Sequence, residues 1–210
     1  MSAERPAKRR RFTSDIVTLK VGESKSETFT IHADTLKQHS PFFKAALDKK
    51  WREGQSLQVD FPEDEPDTIE AYLGWLHDGK VEAPESPGTD DLTFPFLAKL
   101  YVLGEKIQDN AFCNSVIDKI TEVLDSPEWE DSSPGFSSSN IIYDGTPDDS
   151  PARTLFAFYF LHYGNFKKDE SMDRLHPAFL RDILVLHSSR KDPTPNAPLS
   201  PKRQEWHKKT

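Results

Sequence analysis

Apolar and polar residues alternate in two short segments near the start of the chain. Every second position of residues 16–21 is apolar, and residues 28–32 place Phe29 and Ile31 on one side. Alternation with a period of two is typical of strands that bury one face. The polar stretch 22–25 lies between them and predicts a turn, so we expect the two segments to form a hairpin.

A pair of short helices and a third strand are predicted next. Residues 34–38 suit a short helix, and Ser40-Pro41 favours the start of another, with serine as the N-cap and proline in the first turn. Further on, Leu57, Val59 and Phe61 alternate with polar residues until Pro62. This third segment is predicted to be a strand.

Three longer segments then carry apolar residues at helical spacing. The first begins among acidic residues around Pro66 and ends near Gly79, and the others cover residues 96–107 and 112–124. The order of hairpin, helix pair, strand and three helices predicts an α+β fold. We expect one domain over residues 14–125, with a small sheet flanked by a cluster of helices.

The rest of the chain is predicted to be partly disordered. Residues 126–140 are rich in Ser, Pro, Asp and Glu and are interpreted as a disordered linker. A helical extension is expected over residues 141–190, where the segment 155–163 is aromatic nearly all round and must be buried. Residues 1–13 and 191–210 lack apolar periodicity and are predicted to be disordered tails.

Composition limits the classes of function. The chain has 210 residues, 35% hydrophobic and 30% charged, with a net charge of −8 that argues against general nucleic-acid binding. The longest apolar run is far below the roughly 18 residues that span a bilayer, and no signal-peptide pattern opens the chain. Cys113 is the only cysteine, which excludes an intramolecular disulfide and a cysteine-based zinc site. We therefore expect an intracellular protein, cytoplasmic or nuclear, with no membrane partner.

Seven short motifs follow one another over about residues 14–125. They are Asp15-Ile16-Val17-Thr18-Leu19-Lys20-Val21, Phe29-Thr30-Ile31-His32, Leu36, Ser40-Pro41-Phe42-Phe43, Leu57-Gln58-Val59, Ile69-Glu70-Ala71-Tyr72-Leu73 and Leu76-His77-Asp78-Gly79. In this order they resemble the BTB/POZ domain. The resemblance implies the same α+β fold, association with protein partners, and in some family members presentation of substrates to cullin-type ubiquitin ligases. A later segment, residues 142–147 with Ser150 and Arg153, resembles the C-terminal part of filamentous-fungal BTB proteins.

One departure from the family concerns self-association. Dimerising animal members carry an extra helix, and often a strand, before the segment that begins here at Asp15. In this sequence a short basic stretch stands there, too polar to supply such an interface. We therefore expect a monomer or a weak homodimer.

Trp51 and Glu53 form the candidate partner-binding site. They stand where cullin-binding members of the family have a hydrophobic-x-Glu motif. An indole in a loop among Lys49, Lys50 and Arg52 is the kind of exposed aromatic that anchors interfaces. The alternative is that Trp51 folds back as a lid on the helix pair, and the sequence leaves both interpretations open.

Nothing in the sequence predicts an enzyme, a metal site or a cofactor. Asp15 and His32 match family residues that close the hairpin, and no nucleophile is spaced to join them. Histidines lack metal-ligand spacing, glycine-rich phosphate loops are absent, and Cys113 lies on the apolar side of a helix. The run Lys8, Arg9, Arg10 and Arg11 is a candidate nuclear-import signal, although such runs also occur by chance in disordered tails.

Three hypotheses follow for the function. The protein is an adaptor that joins a protein partner, such as a cullin-type scaffold, to a target; or it is a self-associating nuclear or structural scaffold without a ligase role. An enzyme is the third hypothesis, and no constellation of residues supports it. The first fits the resemblance best.

Overall fold

The structure is a computed structural model that describes residues 15–23, 26–84, 92–126, 134–164, 175–188 and 199–209. Within these ranges the chain is mixed α and β, with a small three-stranded sheet and mostly helices. The predicted α+β class is confirmed at this level. The chain divides into two compact units, residues 1–63 and 64–210, so the predicted domain 14–125 spans both units.

The sheet of the first unit consists of β1 (Ile16–Val21), β2 (Glu27–His32) and β3 (Gln58–Phe61) in the order β2-β1-β3. Strand β1 pairs antiparallel with β2 and parallel with β3, which places Leu19 opposite both Phe29 and Val59. The inward side chains of β1 are fully buried. The two predicted hairpin strands and the third strand are therefore present, with β1 in the middle.

Strands β1 and β3 are parallel, so the chain must cross over before β3 can pair with β1. The segment from β2 to β3 makes this crossover and is helical. It contains α1 (Ala33–His39), α2 (Pro41–Ala46) and α3 (Arg52–Ser56). The Ser40 hydroxyl accepts a hydrogen bond from the N–H of Phe43 at 3.1 Å, so the predicted N-cap is confirmed. Phe43 is buried against Phe61, with 6.0 Å between ring centroids.

The second unit begins with α4 (Pro66–Asp78), α5 (Thr93–Lys106) and α6 (Asn110–Asp125). Gly79 ends α4 in the left-handed region with φ of 76°, which suits a residue without Cβ. The Asp109 carboxylate accepts hydrogen bonds from the Phe112 N–H at 3.0 Å and from the Tyr72 hydroxyl at 3.1 Å. These contacts join α4 to the start of α6, and the three predicted helices are confirmed.

Three further helices complete the described part of the second unit with a 3-10 helix. They are α7 (Phe136–Gly145), α8 (Pro151–Tyr163) and α9 (Pro177–Ser188), and the 3-10 helix is Ser200–Trp206. Helix α8 contacts α7, α9 and the 3-10 helix, which accounts for its nearly continuous aromatic surface. Among the described residues, no helix is both long and apolar enough to cross a membrane.

Two predictions of disorder are wrong in part. Helix α7 starts inside the predicted linker 126–140, and its Phe136 ring stacks on Phe160 at 5.5 Å. The predicted tail 191–210 contains the 3-10 helix, which buries Leu199 and Trp206. Both segments are polar in composition, yet single apolar residues fix them to the core. Residues 1–14, 127–133 and 191–198 lie outside the described residues.

Candidate functional site

The Trp51 surface, defined as residues 49–53, lies at the start of α3. Trp51 is the N-cap residue of this helix and has an extended backbone, with φ of −104° and ψ of 157°. Its N–H donates to the Asp48 carbonyl at 2.9 Å, and its own carbonyl accepts from the Gln55 N–H at 3.1 Å. The backbone of Trp51 is thus held on both sides, while 62% of the residue is exposed.

The turn before α3 is held by short-range contacts. The Asp48 carboxylate accepts from the Lys50 N–H at 3.0 Å, and the Gln55 amide donates to the Lys49 carbonyl at 3.2 Å. A Cβ at Gly54 would lie 2.1 Å from the Asp48 carbonyl oxygen, so only glycine permits this close approach. The sequence predicts Trp51 in a loop, and Trp51 lies in the turn directly before α3. Gly54 lies within α3 and lets this short helix pack on the turn.

Glu53 lies in the first turn of α3, two residues after Trp51. Its carboxylate lies 3.8 Å from the Arg52 guanidinium, with the Arg52 side chain exposed and that of Glu53 partly exposed. Such an exposed pair contributes little to stability, so Glu53 remains available to a cation on a partner. The exposure of Trp51 contradicts the interpretation of its side chain as a lid on the helix pair.

Asp15 and Cys113, two residues considered for catalysis, have contacts that are explained by the fold. The carbonyl of Asp15 accepts from the Ala33 N–H at 2.8 Å, which ties the start of β1 to α1. Cys113 is buried, and burial raises the pKa of its thiol, which keeps the thiol protonated near neutral pH. Across the described ranges, no group of His, Cys, Asp and Glu is arranged to hold a metal ion. The candidate import residues Lys8 to Arg11 lie outside the described residues.

Sequence reasoning missed an open groove between α4 and α5. It has a volume of about 640 Å³ and is lined by one side of α4, by residues 80–84 and by the first turns of α5. The signal was present in Asp67, Glu70 and Gly74, which share one face of a helix through their spacing of three and four residues. The apolar face of the same helix predicts the core and carries no sign of this groove.

No protein-family model matches the chain, and none of the curated proteins is significantly similar to it.

Proposed function

We propose that this protein is a non-enzymatic interaction module of the BTB/POZ type, acting in the cytoplasm or nucleus. Its Trp51 surface docks a protein partner, and a cullin-type ubiquitin-ligase scaffold is the partner that the hydrophobic-x-Glu motif favours. The ordered series of motifs supports the family. The order of elements, two paired strands, helices, a third strand and further helices, is compatible with it.

The exposure of Trp51 carries the proposal. A tryptophan that is 62% exposed leaves a large apolar surface in water, whereas its backbone is held by hydrogen bonds. Tryptophan is enriched among the few residues that supply most of the binding energy of an interface. Glu53 adds one directional charge beside this apolar anchor, and a charged neighbour favours one orientation of the partner.

Trp51→Ala tests the proposal when stability and binding are measured on the same protein. Removal of an exposed side chain changes the free energy of unfolding by about 0.5 kcal/mol. Binding to a purified cullin scaffold should weaken by about 2 kcal/mol, the scale of an interface hot spot. Thermal unfolding and titration calorimetry supply the two quantities.

Leu184→Ala is the matched control, because Leu184 is an exposed apolar residue of α9, in the second unit. It should leave cullin affinity unchanged. An unchanged affinity of the Trp51→Ala protein would contradict docking through this surface. Equal losses in both variants would indicate nonspecific apolar association and would contradict it as well.

The alternative of a self-associating scaffold is supported by one observation. Helix α9 exposes three apolar residues, Leu180, Leu184 and Val185, and Leu184 is 69% exposed. An exposed apolar stripe on a helix is a common site of association between copies. Light scattering of the full chain distinguishes the alternatives, because a scaffold of this kind forms oligomers that Leu184→Ser dissociates.

A further inference from the structure

We propose that the α4–α5 groove binds a basic peptide segment of a partner protein, in which lysines or arginines flank one apolar side chain. The groove lies within the second unit, whereas the Trp51 surface belongs to the first. The proposal therefore concerns a second binding site and goes beyond the proposed function.

The groove has the size and lining of a binding site. Its volume of about 640 Å³ is within the usual range of roughly 300–1,000 Å³ for ligand sites. Ala71 of α4 and Pro95 and Phe96 of α5 supply apolar lining. Leu92 also lines the groove and is 64% exposed. These residues offer contact to one apolar side chain of a ligand.

Gly74 is the observation that points to a ligand. It lies in the middle of α4, where glycine is less favourable than alanine because it loses more backbone entropy on folding. A Cβ built on Gly74 meets no atom of the described residues within 4 Å, so packing among them does not require glycine here. Because Gly74 lines the groove, its missing side chain leaves room for a group from outside the chain.

The charges around the groove define the chemistry of that group. Five lining residues are acidic and two are lysines, and one of these, Lys99, is 2.5 Å from the Glu65 carboxylate. Within the described part of the chain, no ion pair engages Asp67, Glu70 or Glu82. Together with Asp78, these three carboxylates form the acidic rim of the groove. The acidic rim attracts cations and repels anions.

The helix dipole does not account for this acidic rim. Asp67 lies in the first turn of α4, where the dipole favours a negative charge. Asp78 is the last residue of the same helix, where the dipole disfavours one, although its carboxylate accepts from the Lys80 N–H at 2.9 Å. Glu70 lies beyond the first turn of α4 and Glu82 follows the end of the helix, so neither carboxylate is stabilised by the dipole. A basic segment with a central apolar side chain complements both the rim and the apolar lining.

Fluorescence anisotropy with a labelled peptide tests the proposal on the full chain. The probe carries arginine pairs on both sides of a central leucine, and a second probe replaces the leucine with serine. We expect saturable binding of the first probe and binding at least about tenfold weaker for the second, because the apolar contact is lost. Equal binding of both would reduce the interaction to general attraction by an acidic protein and overturn the proposal, as would no binding of either.

Two variants locate the site. Gly74→Leu fills the groove and should weaken the leucine probe about tenfold or more, while leucine's higher helix propensity keeps the melting temperature at or above that of the parent. Glu70→Lys reverses one rim charge and should have a similar effect.

Glu205→Lys is the control for net charge, since Glu205 is exposed on the 3-10 helix outside the groove. Full binding by the Gly74→Leu protein, or equal weakening by Glu205→Lys, would overturn the proposal.

Discussion

A single buried arginine organises the junction of α7 and α8. The Arg153 guanidinium donates to the Tyr143 carbonyl at 2.8 Å, to the Thr146 carbonyl, and to the Asp148 carboxylate at 2.5 Å. Its Nε donates to the Thr146 hydroxyl at 3.1 Å, and its Cζ lies 4.8 Å from the Tyr143 ring centroid. The carbonyls at the end of α7 are acceptors that a helix terminus otherwise leaves unpaired, so Arg153 acts as a C-terminal cap.

Arg153→Ala should therefore destabilise the second unit strongly. The Tyr143 and Thr146 carbonyls would lose their donor, and each buried acceptor left without a partner costs about 1–3 kcal/mol. Arg153→Lys keeps the charge but loses the planar fork and should recover only part of the loss. Urea unfolding measures both, with Arg181→Ala as the control, because Arg181 is an exposed residue paired with Asp182. A loss below about 1 kcal/mol for Arg153→Ala would contradict this role.

At the residue scale, local chemistry predicted some roles and missed others. The Ser40 cap followed from a serine before a proline, and the exposure of Trp51 agrees with its charged neighbours. The burial of Arg153 was not predictable in this way, since arginine is usually exposed and its acceptors are backbone carbonyls that carry no sequence signal. Ser150 is a further example: it precedes α8 and Pro151, but its hydroxyl donates to Glu105 at 3.0 Å and does not cap the helix.

At the scale of elements, residues 199–209 include a 3-10 helix although their composition predicts disorder. Two asparagines one turn apart on α6 bind the backbone of this segment. Asn114 accepts from the Lys208 N–H at 2.6 Å and donates to the Lys208 carbonyl at 3.0 Å, while Asn110 donates to the Lys209 carbonyl at 2.9 Å. An asparagine amide that pairs with both backbone groups of one residue replaces the neighbouring strand that an extended segment would otherwise need.

Asn114→Ala should loosen this segment and leave α6 folded, because alanine keeps helix propensity but offers neither a donor nor an acceptor. Hydrogen exchange read by mass spectrometry should show faster exchange over residues 199–209, by about tenfold for a loss near 1.4 kcal/mol. Glu122→Ala, at an exposed position of the same helix, should leave that exchange unchanged. If exchange in the segment is equal in both variants, the asparagine contacts do not hold it.

Periodicity predicted the longer elements well, because α4, α5 and α6 each bury a repeating apolar face. It failed for α3, which has five residues and too few turns to show a period. It also failed for α7, whose serines suggested a linker although Ser138 and Ser139 are buried. The parallel pairing of β1 with β3 lay beyond a sequence reading, since it depends on contacts between distant segments.

At the scale of the whole molecule, the second unit buries weakly acidic side chains, namely tyrosine hydroxyls and a cysteine thiol. Tyr72, Tyr101, Tyr143 and Cys113 are almost fully buried. Burial is the main cause that raises the pKa of each, and the nearby carboxylates of Asp109 and Asp182 raise the pKa of Tyr72 and Tyr143 further. The folded protein therefore keeps these protons at pH values where the unfolded chain loses them.

The second unit should consequently lose stability in alkali. An unfolded cysteine ionises near pH 8.5 and an unfolded tyrosine near pH 10, whereas the folded groups stay neutral. The stabilisation is complete below about pH 8 and falls as the pH rises through those values, by about 1.4 kcal/mol per pH unit for each group that ionises only on unfolding. Urea unfolding between about pH 8 and pH 11 measures the slope. Tyr72→Phe removes one of the groups, so its slope above about pH 10 should be shallower than that of the parent protein. A free energy of unfolding that stays constant across this range would mean that the four groups ionise equally well in the folded state.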